Sequence, residues 1–166
     1  MFTREAGMLF ADAKSVREER SKQRYALQDF SLVRVTLVKG KSGWKIGSIE
    51  ALRNYYTEAC DKAARGSVVS TIKFLRRFFS GEDPAEELFD TITSFLDELV
   101  LPVRNRLVLE KVLQVKVLAA LGYVAPATIP VPVLGHSTPK EYQSLEITLE
   151  PILDRLITTA ISTSHL

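Results

Sequence analysis

FSLVRVTLVKGKSGWKIGSI, residues 30–49, is the stretch on which the reading of this chain turns. Val33, Val35 and Leu37 point one way and Arg34 and Thr36 the other, the period of two that marks a strand with one face turned from water. LysGlyLysSerGly (39–43) breaks the pattern with two glycines, a hairpin turn, and Trp44–Ile49 then resumes it. Upstream, Met8–Val16 sets Leu9, Ala11 and Ala13 on one side and reads as a third strand. The spacing therefore predicts a small antiparallel sheet, or part of a barrel, across residues 1–53.

From residue 54 the period is helical. Asn54–Ala64 reads as a short helix, and Val69, Ile72, Leu75 and Phe79 recur at helix spacing up to a stop at Gly81. Asp83 as N-cap, Pro84 at the first helical position and Glu86 in a capping box start the next helix, with Leu88, Ile92, Phe95/Leu96 and Leu99 as its buried stripe. Val103–Leu121 is apolar almost all round, which places it at the centre of a helical core, and Gly122 ends it. Residues 124–139 carry Pro126, Pro130, Pro132 and Pro139 and read as an extended linker or surface loop. A last helix covers roughly 142–161, with Pro151 either kinking it or marking its start. The fold class is α+β, a β-rich head on an all-helical body, with domains at 1–53 and 54–166.

Charge is unevenly spread over the 166 residues. The first 53 hold eleven Lys/Arg against six Asp/Glu, whereas the rest hold eleven against fourteen, within a net charge of +2. A basic head on an acidic body points to a polyanion contact in one part only. One cysteine, Cys60, excludes an internal disulfide and suits a reducing cytosol. No apolar run approaches the roughly 18 residues of a membrane span, and Arg4, Glu5 and Asp12 interrupt any signal-peptide core. The expectation is a cytoplasmic protein with no membrane partner.

Enzyme chemistry lacks its parts. His136 and His165 lie in the proline segment and at the C-terminal end, far from Cys60 in sequence, so neither a zinc site nor a nucleophile–histidine device is expected. GlyLysSer (40–42) resembles the tail of a phosphate-binding loop, but Val35 stands where the first glycine belongs, and the segment joins two strands rather than a strand and a helix. The pairs Glu86/Glu87 and Asp97/Glu98 read as solvated helix faces rather than an acid–base device. No cofactor and no metal is expected.

What remains is basic. Arg4; Lys14, Arg17, Arg20, Lys22 and Arg24; and Lys39, Lys41 and Lys45 form three clusters, with Tyr25 and Trp44 beside them. If the sheet curls, the 13–24 connection and the hairpin meet and line a positive groove for a phosphate backbone, with aromatic rings for unpaired bases. Trp44 reads equally well as a barrel plug.

The order of these residues carries a resemblance. PheThrArgGluAlaGly (2–7), AlaLysSerValArg (13–17), SerLys (21–22), LeuGlnAspPhe (27–30) and ValLysGlyLysSer (38–42) running into Trp44 resemble the N-terminal half of the bacterial recombination-repair family RecO, and LeuGlyTyr (121–123) matches a recurrent feature of its helical half. The resemblance implies an OB barrel followed by a helical domain, and a non-catalytic, nucleoid-associated mediator. Such a protein binds single- and double-stranded DNA and anneals strands. It loads recombinase together with RecR and with single-strand binding protein, whose acidic C-terminal tail docks on the helical domain. By position the resemblance carries the DNA role to Lys14, Arg17, Lys22, Lys39 and Lys41; the basic clusters themselves add Arg4, Arg20, Arg24 and Trp44, and Arg104, Arg106, Lys111 and Lys116 on the central helix are taken for partner docking. Two departures stand out. Family members usually have a further strand ahead of PheThrArg, so either the true start lies upstream or this is a shortened variant whose barrel lacks its first strand and exposes an edge. The four-cysteine zinc site that many carry after LeuGlyTyr is replaced by AlaProAlaThrIleProValProVal (125–133). The rival expectation is a helical protein-interaction adaptor that binds no DNA, with Lys73, Arg76 and Arg77 as a basic face.

Overall fold

The hairpin forms, and it is longer than its alternation suggests. A computed structural model describes residues 1–13, 22–135, 138–144 and 147–164, and gives the backbone alone for Lys22, Gln23, Gly135, Gln143, Ser144 and Ile147. In chain order the first third contains β1 (Phe2–Thr3), β2 (Gly7–Met8), β3 (Ala11–Asp12), α1 (Lys22–Ala26), β4 (Ser31–Gly40) and β5 (Gly43–Asn54). Gly40 pairs with Gly43 across a two-residue turn, and Gly43 takes a positive φ of 115° that a side chain would resist. Val33, Val35 and Leu37 stand opposite Ala51, Ile49 and Ile46. The register slips twice, and both extra residues, Gly47 and Leu52, lie in β5.

The expected strand Met8–Val16 is not continuous. Gly7–Met8 pairs back on Phe2–Thr3 as a separate two-stranded unit, and Ala11–Asp12 pairs in parallel with Trp44–Lys45. Residues 14–16 lie outside the described residues. The break falls at Leu9–Phe10, where Leu9 N–H donates to the Met1 carbonyl, and Gly7, at a φ of 60°, lets the Asp83 backbone pass where any Cβ would sit. The sheet of three strands has the order β3-β5-β4, and among the described residues it does not close into a barrel.

The helical body comprises α2 (Tyr55–Glu58), α3 (Lys62–Phe78), α4 (Glu86–Leu99), α5 (Arg106–Ala120), α6 (Val131–Gly135) and α7 (Glu150–Thr163), with 3₁₀ turns at Pro126–Thr128, Glu141–Ser144 and Ile147–Leu149. Four expectations need correction. The single helix 54–64 is two, because Asn54 and Asp61 each cap a new start: their side chains accept from the backbone N–H of Thr57 and Ala64. The stripe of α3 is Ala64, Ser67, Val68, Thr71, Leu75 and Phe78, rotated from the expected one, with the Ser67 hydroxyl bonded to the Glu110 carboxylate. Asp83 does not cap α4. Its segment is held instead by Met8 N–H donating to Gly81 and Ala85 N–H donating to Arg4, so α4 starts at Glu86. The proline segment is no linker: Val124, Ile129 and Val133 are buried, and Pro130 leads into α6. Pro151 stands in the first turn of α7 and marks its start.

Central placement of α5 is as expected. Val108, Leu109, Val112, Leu113, Val115, Val117 and Leu118 are buried around its circumference, and it packs against α3, α4 and α7. Each such side chain contributes about 1.5–3 kcal/mol relative to exposure. The head joins this core through Phe2, Phe30 and Leu32, while Leu9, Ala26 and Ile46 are buried outside it. No helix among the described residues is long and apolar enough to cross a membrane.

Candidate nucleic-acid interface

The tip of the β4–β5 hairpin presents Lys39 and Lys41 to solvent, with Lys45 half-exposed. Lys39 and Trp44 stand opposite each other in the ladder, and the Lys39 ammonium lies 5.2 Å from the indole centroid. Trp44 is no buried plug. Its Nε1–H donates to Glu82 at 3.1 Å, which ties the hairpin tip to the loop ahead of α4. A base stacking on this indole would compete with Lys39 for the ring.

The basic 13–24 connection starts from the same part of the sheet. Ala11 and Asp12 pair with Trp44 and Lys45, so the chain leaves β3 toward residue 14 alongside those residues. It returns at α1, which packs on β5 and carries exposed Arg24 and Tyr25, the latter 67% accessible. The topology thus delivers both ends of the 13–24 connection to β5. Lys14, Arg17 and Arg20 lie outside the described residues, as do His136 and His165, and of Lys22 only the backbone is described.

Other head cations are engaged elsewhere. Arg4 forms a two-pronged pair with Asp90, both contacts 2.9 Å, and lies 3.2 Å from Glu86, bolting β1 to α4. That bond holds the Asp90 carboxyl below the ordinary range. Arg53 joins Glu58 and Asp97, and Arg34 pairs with Glu50 across the ladder. The positive surplus of the head therefore overstates its open positive surface. Arg4, Arg34 and Arg53 make internal ion pairs while the tip is lysine, in keeping with the better fit of a planar guanidinium to a carboxylate.

The four cations suggested for partner docking do not share a face. Arg104 is exposed ahead of α5. Arg106 donates to the carbonyls of Leu99 and Leu101 and closes the end of α4. Lys111 contacts Glu150 and Asp154, both at 2.7 Å, and fastens α7. Lys116, about 140° further round the helix, lines a groove of about 700 Å³ with Phe2, Met8, Phe79 and Leu88. Burial holds its ammonium below the ordinary range, against the pull of Glu87. Asp83, Glu86 and Glu87 share that wall, so the groove carries more carboxylates than cations.

Glu82 is the interface residue that sequence spacing gives no means to find, since its contact with Trp44 spans 38 positions. Among the described residues no cluster of histidine, cysteine and carboxylate side chains is placed to hold a metal. No protein-family model matches the chain, and no curated protein sequence matches it.

Proposed function

We propose that this protein binds nucleic acid through the phosphate backbone, using the lysine tip of the hairpin and the basic connection beside it, without catalysing a reaction. The observation that carries the reading is the pairing of Ala11–Asp12 with Trp44–Lys45, which starts residues 13–24 at the lysine tip. Lysines on mobile stems beside aromatic rings suit a flexible single strand, giving affinity by counterion release with little preference for sequence. Tyr25 is the more accessible ring, and Trp44 the one already paired with a cation.

Set beside the RecO resemblance, the reading becomes a repair and recombination mediator of the cytoplasm. It binds single- and double-stranded DNA and works with RecR and single-strand binding protein. The head is then an open variant of an OB barrel. The partner half of this proposal rests on the resemblance alone, and the carboxylate-rich wall around Lys116 gives an acidic tail no electrostatic advantage there.

The test is fluorescence anisotropy with labelled single strands over a salt series. Affinity is expected to fall linearly with salt on logarithmic axes. Lys39→Glu with Lys41→Glu is expected to weaken binding at least tenfold, about equally for all sequences. No binding even at low salt overturns the reading and leaves the helical adaptor, which a pull-down of an acidic-tailed partner would then support.

A further inference from the structure

β4 is the outer strand of its sheet, ten residues long, and no described segment pairs with its far edge. Exposed edges are ordinarily blunted by bulges, prolines or short length. Here both bulges fall in β5, the middle strand, so the outer strand runs unbroken from Ser31 to Gly40 without a proline. Its inward face is also incompletely covered. Val33, Val35, Leu37 and Ile49 are only half-buried, and Val38 on the opposite face is 54% exposed.

The sequence of this edge is complementary to itself in one register. Antiparallel pairing about Val35 sets Val35 against Val35, Val33 against Leu37 and Leu32 against Val38 of a second copy, while Arg34 faces Thr36. Val33, Val35 and Leu37 each meet an apolar partner on the same face, Ser31 faces Lys39 at the strand ends, and no like charges meet. Shifting the centre to Arg34 would set two guanidinium groups against each other, which is unfavourable.

We propose that β4 pairs with β4 of a second copy, antiparallel about Val35, merging the two sheets into one of six strands. The pairing satisfies about six to eight backbone hydrogen bonds from residues 32–38, occurring in symmetry-related pairs, and continues the half-buried apolar face across the dyad. Unlike the nucleic-acid reading, it is tested without DNA.

Sedimentation equilibrium of the full chain is expected to show a monomer–dimer equilibrium. Thr36→Lys places a cation opposite Arg34 twice and is expected to raise the dissociation constant about tenfold or more, whereas Thr36→Glu is expected to lower it. Thr36 is exposed, so circular dichroism should show the fold retained in both variants. In a Cys60→Ser background, Val35→Cys is expected to cross-link under mild oxidation and Val38→Cys not to. A monomer at all concentrations, a dimer indifferent to both Thr36 changes, or cross-linking through Val38→Cys instead of Val35→Cys overturns the proposal.

Discussion

Phe30 adopts a φ of 68°, in the left-handed region that side chains other than glycine, asparagine and aspartate avoid. It is held there by stacking on Tyr56 at 5.5 Å and by its carbonyl, which accepts from Tyr55 N–H. The strain thus pins the start of β4 to the start of α2. Gly7 poses the converse problem. Gly7→Ala would put its Cβ 2.3 Å from the Asp83 carbonyl oxygen while keeping a positive φ, so the Asp83 loop must move. The variant is expected to lose about 2 kcal/mol or more, read by urea unfolding, with the N-terminal hairpin gaining hydrogen exchange. Lys116 offers a test by pH. Burial lowers its pKa from 10.5, so the unfolded chain binds the proton more readily. Stability then rises as pH climbs through the folded value toward 10.5, and the group is unfavourable below that window. Lys116→Met is expected to raise the Tm by roughly 1–3 °C at pH 7 and to flatten that rise.

Among the elements, α5 is nearly symmetric in hydropathy yet not in burial. Leu113 is 1% exposed and Leu107 51%. Leu113→Ala is expected to cost about 3 kcal/mol through its cavity, while Leu107→Ala should stay within about 0.5 kcal/mol, both by denaturant unfolding. The proline segment is judged at the same scale. Its compositional signal for a loop is overridden because Val124, Ile129 and Val133 face the core and Tyr142 donates its buried hydroxyl to the Val133 carbonyl at 2.9 Å. Burial pushes the Tyr142 phenol up to about 12, with Glu141 adding to it. Tyr142→Phe is expected to cost about 1 kcal/mol and to raise hydrogen exchange in α6 selectively.

For the whole molecule, the governing contrast is between arginines that bolt the head to the body and the hairpin-tip lysines that face water. Arg4 and Arg53 reach α4, and Arg76 of α3 reaches Asp29. A count of charges cannot separate these roles, since both kinds raise the same surplus. The binding experiment can: Lys39→Glu with Lys41→Glu should leave the Tm nearly unchanged while abolishing much of the salt-dependent affinity. Arg4→Ala should lower the Tm by a few degrees and leave affinity per folded molecule unchanged. Loss of binding on removing Arg4, with the fold intact, would contradict that division.

Local pattern determined the elements that need only their own residues. The alternation of Val33, Val35 and Leu37, the paired glycines 40 and 43, and the all-round apolar character of α5 were legible because periodicity and turn geometry act within a few positions. Tertiary structure alone decided where distant backbones compete for the same groups. Asp83 gave up its capping role because Gly81 and Ala85 bond to Met8 and Arg4, and the expected strand from Met8 broke at Leu9–Phe10, where Leu9 bonds back to Met1. The pairing of β3 with Trp44 and Lys45, on which the proposed interface depends, belongs to the same class. A hydrogen bond across dozens of residues leaves no period in the sequence, so only the folded chain reveals it.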